Sequence, residues 1–286
     1  MQQKKTKLVF HGVRGSRPVA DKRVTKYGGN TASIFVERGD RVVIFDAGTG
    51  IINIGDYLQK ERNDIKILDI FLTHFHFDHI LGLPFFQPIL SRGYTVNIYT
   101  APYNKDNRTV RDVILTIFNQ PYSPISNEGI KAEMNFVELD INKKEAITID
   151  HDMSVTYQKN SFHPLCGVLI YKLNTGGKSI VYATDVEIPG GFDGDTLDFI
   201  SGADILIHDS QYFDSHYNAA ENPKKGFGHS SVSMAVQNAK NANAKALYLF
   251  HYDPAYSDRE LERMLKEAQK EFKNTYLSEE LKIINF

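Results

Sequence analysis

The sequence has a single cysteine, a net charge close to zero and no long apolar run, and each scarcity excludes a class of protein. Because Cys166 is the only cysteine among 286 residues, an internal disulfide framework is excluded and a reducing compartment is favoured, with Cys166 as an apolar core thiol. The formal charge of −2 provides no overall attraction for polyanions. We therefore expect a small anionic substrate rather than a long nucleic acid.

No stretch approaches the length of a membrane span, and the residues after Met1 do not form the apolar region of a signal peptide. A cytoplasmic protein without a membrane anchor is the expectation.

The sequence is 42% hydrophobic and 24% charged, which is typical of a globular chain. No linker-like or low-complexity stretch interrupts it, so we predict one domain over residues 1–286, with helices covering mixed sheets. The amphipathic segment 102–130 is interpreted as a lid, a dimer contact or a surface helix.

The most informative stretch is His74-Phe75-His76-Phe77-Asp78-His79, which follows a predicted buried strand at 66–73. It places four metal-binding side chains within six residues. His74 and His76 are two residues apart in extended backbone, so they project to the same side and can bind one ion. The turn at Asp78 and His79 directs two further ligands towards a second ion. The spacing predicts a site for two metals.

Four polar residues stand at the exits of predicted buried strands: His74, Asp185, Asp209 and His251. Because loops converge at strand ends and ligands bind there, we expect these four to share one site. Asp46 also closes a strand, before Gly48 and Gly50. It is interpreted either as a loop cap or as an acceptor that orients a metal-binding histidine.

Other charged and titratable side chains receive less weight. Arg14 and Arg17 lie in a Gly- and Pro-containing turn, where they either hold a phosphate or are solvated. We expect His11 and His151 at the surface and His208 in the core.

Several stretches together resemble the metallo-β-lactamase superfamily, in the branch that contains the tRNA 3′-processing endonuclease (ribonuclease Z) and the cyclic phosphodiesterases, including the phosphoribosyl cyclic phosphodiesterase. The stretches are Gly12-Val13-Arg14-Gly15-Ser16, Tyr27-Gly28-Gly29-Asn30-Thr31, Asp46-Ala47-Gly48-Thr49-Gly50, Thr73 to His79, His163, Ala183-Thr184-Asp185, Gly228-His229-Ser230 and His251. They extend over nearly the whole chain. The resemblance implies an α/β fold, the four-layer αββα sandwich with two mixed sheets flanked by helices.

The resemblance also implies a centre of two divalent ions. Its ligand plan carries over as His74, His76 and His163 on one ion, Asp78, His79 and His251 on the other, and Asp185 on both. Nitrogen and oxygen donors of this kind favour zinc and also accept manganese or iron.

The implied activity is hydrolysis of a small or cyclic phosphodiester by a hydroxide shared between the two ions, with Asp78 among the catalytic residues. His229 would contact the phosphate or protonate the departing oxygen, and Asp209 would orient His229. The alternative is that His229 caps a helix and Asp209 caps a loop.

Three alternative functions stay open from the sequence: a glyoxalase II-like thioester hydrolase, a tRNA 3′-processing endonuclease and a metal-binding protein without activity. The resemblance is also consistent with a homodimer.

Overall fold

The structure is a computed structural model that describes residues 5–103, 106–143, 145–161, 163–164, 167–192 and 194–286. The prediction for Cys166 lies outside these residues. The chain forms two compact units. Unit 1 comprises Met1–Gly12, Asn30–Lys143 and Leu281–Phe286, and unit 2 comprises Val13–Gly29 and Lys144–Glu280.

The strands of the described residues are β1 Thr6–Gly12, β2 Ser33–Arg38, β3 Arg41–Phe45, β4 Ile67–Phe71, β5 Thr95–Thr100, β6 Glu133–Glu138, β7 Ile147–Asp150, β8 Met153–Asn160, β9 Val168–Thr175, β10 Lys178–Ala183, β11 Ile205–Asp209, β12 Leu247–Phe250, β13 Thr275–Leu277 and β14 Ile283–Asn285. The α-helices are α1 Ile51–Lys60, α2 Phe77–Ile80, α3 Val110–Thr116, α4 Gly194–Ile200, α5 Asp214–Tyr217, α6 Val232–Asn241 and α7 Asp258–Glu271.

Unit 1 contains a mixed seven-stranded sheet in the order β14-β1-β2-β3-β4-β5-β6. Strands β3 to β6 are parallel neighbours, whereas β14, β1, β2 and β3 pair antiparallel. The hairpin β2–β3 turns at Gly39-Asp40, and Gly39 has a positive φ of 65°, which suits a tight two-residue turn. The parallel strands carry residues of the unit 1 core, and α1 contributes Ile51, Ile54 and Leu58 to it.

Unit 2 contains a second mixed seven-stranded sheet, in the order β13-β12-β11-β10-β9-β8-β7. Strands β10 to β13 are parallel neighbours, and β7 to β10 pair antiparallel. A capping box formed by Ser257 and Glu260 begins α7, since each side chain bonds the backbone N–H of the other residue. Two mixed sheets accompanied by helices confirm the predicted α/β class.

Segment 102–130 contains α3, whose Val110 and Ile114 are buried together with Phe118 in the core of unit 1. Its apolar periodicity therefore reflects packing within that unit, while Tyr122 is 68% exposed. The lid and dimer roles of this segment, and the single-domain interpretation, stay predictions. Among the described residues, none of the helices combines the length and apolar character that a membrane crossing requires.

The prediction that His11 lies at the surface is wrong, because its side chain is buried and only 5% exposed. It lies on β1, where its ring packs edge-on against Phe35 with the ring centroids 5.8 Å apart. Burial, with a smaller contribution from the charge of Lys7, lowers the pKa of His11 to about 4. His208 is fully buried, as expected for a core residue, and His151 is exposed.

The buried imidazole of His11 predicts a measurable loss of stability in acid. The unfolded chain binds a proton at this position near pH 6.5, and the folded chain does so only near pH 4. The free energy of unfolding should therefore fall as pH decreases through this window, by up to about 1.4 kcal/mol per pH unit from this group alone. Urea titrations from pH 7 to pH 4 should show a smaller loss for His11→Leu than for the wild type. The exposed His151→Gln serves as control, and equal pH profiles for wild type and His11→Leu would contradict the assignment.

Candidate metal centre

In unit 1 the candidate ligands follow β4 directly. The chain leaves the strand at Phe71, and the single turn of α2 then contains Asp78 and His79. The ring centroid of His74 lies 4.4 Å from that of His76 and 4.3 Å from that of His79. The His79 Nε2 atom is 3.4 Å from the Asp78 carboxylate. The short turn thus brings together all four side chains of the motif, of which three are buried and His76 is partly exposed.

Asp46 fixes the orientation of His79. It follows β3, which pairs with β4 in parallel, so Asp46 lies beside the start of the motif. Its carboxylate accepts hydrogen bonds from the His79 Nδ1–H at 2.7 Å and from the Thr73 backbone N–H at 2.8 Å. The sequence left two roles open for Asp46, and the structure shows that it orients a histidine. With Nδ1 occupied, Nε2 is the nitrogen that faces Asp78 and can bind a metal.

In unit 2 three polar residues meet at one edge of the sheet because β10, β11 and β12 are parallel neighbours. Asp185 follows β10, Asp209 is the last residue of β11 and His251 follows β12. The Asp185 carboxylate is 3.2 Å from the His251 Nε2 atom. Asp185 and His251 adopt left-handed backbone conformations, with φ of 54° and 64°. Such conformations in non-glycine residues are uncommon and concentrate at functional sites.

Two loop histidines complete the unit 2 cluster. The His163 Nδ1–H donates to the Gly228 carbonyl at 3.0 Å, and the His163 Nε2 atom lies 3.9 Å from the Asp185 carboxylate. The His229 Nδ1–H donates to Asp209 at 2.8 Å. Asp209 also accepts the Gln211 backbone N–H at 3.0 Å, so it both pairs with His229 and caps a loop.

The chemistry of these donors fits a divalent metal ion. Asp185, Asp209, His229 and His251 of unit 2 each offer a ligand atom within 4.8 Å of the others, and all four side chains are buried. Buried imidazole nitrogens and carboxylate oxygens suit zinc, manganese and iron. The hydrogen bonds that hold the Nδ1 atoms of His79 and His163 are typical of metal-binding histidines. Each unit therefore carries a His and Asp cluster compatible with divalent metal binding.

Arg14 differs from both sequence interpretations. It is fully buried, and its guanidinium donates to the backbone carbonyls of Gly28 and Tyr256, at 2.8 and 2.7 Å. It therefore ties loops of unit 2 together and is neither solvated nor directed at a phosphate. Arg17 is exposed, and it donates to the adjacent Pro18 carbonyl.

Sequence reasoning missed the glycine beside Arg14 as a structural element of the site. A Cβ atom at Gly15 would lie 2.5 Å from the His251 ring, so only glycine allows this loop to approach the histidine. Sequence reasoning also missed Tyr212, whose ring centroid lies 6.1 Å from that of His229. Burial, followed by the charge of Asp209, raises the pKa of Tyr212, so its phenol remains protonated at neutral pH.

Comparison with known proteins identifies the family. Residues 28–252 match the model of the beta-lactamase superfamily domain. The chain belongs to the beta-lactamase superfamily. Its relatives in the superfamily include a protein named ribonuclease Z from Picrophilus torridus, which is 29% identical over 96% of this chain and 94% of its own length.

Two solved structures share the fold of this superfamily member. The metallo-beta-lactamase fold protein YhfI from Bacillus subtilis superposes with a TM-score of 0.70 at 19% identity, covering 99% of this chain and 100% of the other. A diphosphatase of the PhnP family superposes with a TM-score of 0.68 at 20% identity, covering 98% of both chains. The predicted metallo-β-lactamase fold and the prediction of a metal-dependent hydrolase are confirmed.

Replacement of Asp46 by Asn tests the orientation of His79. The variant keeps the size of the side chain but loses the charge that holds the His79 Nδ1–H, so we expect metal affinity to fall roughly 10- to 100-fold. Competition for zinc with a chromophoric chelator measures this. Asp69→Asn is the matched control, because Asp69 is also a buried carboxylate of the unit 1 sheet and accepts hydrogen bonds from Asn97 and Tyr99. An equal change in both variants would contradict a specific role for Asp46.

Proposed function

We propose that the chain is a dinuclear metal-dependent phosphodiesterase that acts on a small or cyclic phosphodiester. The proposal takes its ligand set from the superfamily pattern: His74, His76 and His163 for one ion, Asp78, His79 and His251 for the other, and Asp185 for both. The His and Asp cluster of unit 1 and that of unit 2 each support the part of this assignment that lies within the same unit. When bound, two divalent ions supply a water molecule of lowered pKa and neutralise charge on the phosphate oxygens.

The observation that carries the choice of a phosphodiester is the pair formed by His229 and Asp209 beside Asp185. Asp209 is fully buried and accepts the His229 Nδ1–H, so Nε2 is the nitrogen that can carry a transferable proton. His229 is 8% exposed, so it is the less buried member of the pair. A proton on Nε2 can pass to the oxygen that leaves phosphorus. The Asp209 carboxylate stabilises the positive charge that the imidazole carries before the transfer.

A second candidate is a tRNA 3′-processing endonuclease, and the relative named ribonuclease Z favours it, since the match spans nearly the full length of both chains. The net charge of −2 argues against a long polyanionic substrate, and the sequence shows no Gly- and Lys-rich arm of the kind that grips tRNA. We therefore rank a compact diester first. A cytoplasmic location and a homodimer belong to the same proposal, on sequence grounds.

A substrate panel separates these candidates. The metal-loaded protein should be assayed against an aryl phosphodiester, a 2′,3′-cyclic nucleotide, a phosphoribosyl cyclic phosphate, a glutathione thioester and a tRNA precursor. We expect hydrolysis of at least one small diester at a higher kcat/KM than cleavage of the tRNA precursor. Hydrolysis of the thioester alone would overturn the proposal in favour of a glyoxalase II-like enzyme. Absence of diester hydrolysis with both metal sites occupied would contradict the phosphodiesterase assignment.

His229→Ala tests the proton donor. Removal of a general acid typically lowers turnover by roughly 100-fold or more, so we expect kcat to fall by at least that factor while the bound metal stays at the wild-type level. Turnover on the best diester of the panel and elemental analysis of the purified protein measure the two quantities. The exposed His151→Ala is the matched control in the same unit. Unchanged turnover would remove the catalytic role, and loss of metal would make His229 a ligand instead.

A further inference from the structure

We propose that Glu187 is a positioning residue, which holds the Gly226–Gly228 turn so that His163 presents Nε2 to a metal and His229 stays beside Asp209. The inference rests on the proposed function, in which His163 is a ligand and His229 a proton donor. Nothing in the ligand pattern of the superfamily assigns a role to Glu187. All of the contacts that carry the inference lie within unit 2.

Glu187 is a buried carboxylate with three donors around it. It is 8% exposed and lies two residues after Asp185. One oxygen, Oε1, accepts the Tyr217 hydroxyl and the Gly226 backbone N–H, both at 2.7 Å. The other, Oε2, accepts the Gly228 backbone N–H at 2.8 Å. One carboxylate therefore bonds both ends of the Gly226–Gly228 turn, which keeps the turn in place.

The position of Gly228 in turn determines the state of His163. The Gly228 carbonyl oxygen can only accept, so its 3.0 Å contact with His163 requires the hydrogen on Nδ1. The unprotonated Nε2 is then the nitrogen beside Asp185. Gly228 also approaches the ring so closely that a Cβ atom would lie 2.3 Å from Nδ1, and its φ is +88°. A small shift of the turn would therefore disturb the hydrogen bond and the packing of His163 together.

The same turn leads directly into His229. The following residue, Ser230, donates its hydroxyl to the Val186 carbonyl at 2.5 Å and its backbone N–H to Asp209 at 3.3 Å. Residues 226–230 are thus bound on one side to residues 186–187 and on the other to Asp209. The segment that carries His229, the candidate proton donor, is therefore held by Val186 and Glu187, which directly follow Asp185.

A carboxylate is required at position 187 because both oxygens accept. Glutamine has one accepting oxygen, so its amide group must face either the Gly228 N–H or the two donors at Oε1. The glutamine NH2 group would then face a backbone N–H in a buried place, so a hydrogen bond is lost and polar groups are left unpaired. Glu187→Gln therefore removes the clamp with almost no change in side-chain volume.

The decisive experiment reads the tautomer of His163 by NMR in the metal-free protein with nitrogen-15-labelled histidine. The pH is set to 8, where an ordinary imidazole is neutral, and His163→Gln assigns the signal. We expect the Nδ1–H form in the wild type and a mixture of both tautomers in Glu187→Gln. Zinc affinity and kcat should each fall roughly 10- to 100-fold in this variant, as for other partners that orient ligands.

Asp204→Asn is the matched control. Asp204 is also a carboxylate of unit 2 that accepts a backbone N–H, from Ser179 at 2.9 Å, but Ser179 lies at the start of β10 and Asp185 follows its end. In Asp204→Asn, the tautomer of His163, the zinc affinity and the turnover should match those of the wild type. A wild-type tautomer and zinc affinity in Glu187→Gln would overturn the proposal, as would equal losses in the two variants.

If Glu187→Gln does not fold, hydrogen exchange in the wild type still tests the clamp. The Gly228 amide should be protected relative to an unstructured chain, and rapid exchange would overturn the proposal.

The two proposals fail in different ways. A wild type that hydrolyses no diester of the panel would refute the phosphodiesterase assignment, while the tautomer measurement would still decide whether Glu187 positions His163.

Discussion

The parallel pairing of β10, β11 and β12 is the constraint on which the unit 2 site depends. Its register places Ala183 opposite His208 and Asp209 opposite Phe250, so the residues that end these strands arrive together. No long loop is needed to gather Asp185, Asp209 and His251. The left-handed backbone of His251 is an additional requirement, which costs of order 1–3 kcal/mol in a non-glycine residue. The neighbouring Tyr252 holds this conformation, since its N–H bonds the Val13 carbonyl and its hydroxyl bonds the Leu249 carbonyl.

The histidines of the candidate site are held by two kinds of hydrogen-bond acceptor. His79 and His229 donate Nδ1–H to the carboxylates of Asp46 and Asp209, whereas His163 donates to a backbone carbonyl. A carboxylate raises the basicity of the opposite nitrogen, which strengthens a ligand and also stabilises a protonated imidazole. Beside Asp209, the same interaction therefore favours proton transfer. The neutral carbonyl beside His163 fixes the tautomer and adds no negative charge that would favour protonation.

The parts of this arrangement that sequence predicts are those encoded locally. The spacing in residues 74–79, the strand exits at Asp185, Asp209 and His251, and the capping box at Ser257 all follow from neighbouring residues. The burial of His11 and Arg14 was not predictable, because their surroundings come from distant segments. The Arg14 guanidinium bonds the carbonyl of Tyr256, which is 242 positions away in the chain. Glu187 was missed for the same reason, since its three donors lie 30 to 41 positions further on.

The glycines at 15 and 228 show why the two loop motifs have their sequence. Each allows the backbone to approach an imidazole more closely than any residue with a Cβ atom could. A Cβ atom would lie 2.5 Å from the His251 ring at position 15 and 2.3 Å from His163 at position 228. The Gly228-His229-Ser230 stretch thus has three separate tasks. Gly228 packs on His163 and accepts a hydrogen bond from its Nδ1–H, His229 pairs with Asp209, and Ser230 ties the segment to Val186. These contacts are carried by three consecutive residues, so packing and chemistry constrain this motif together.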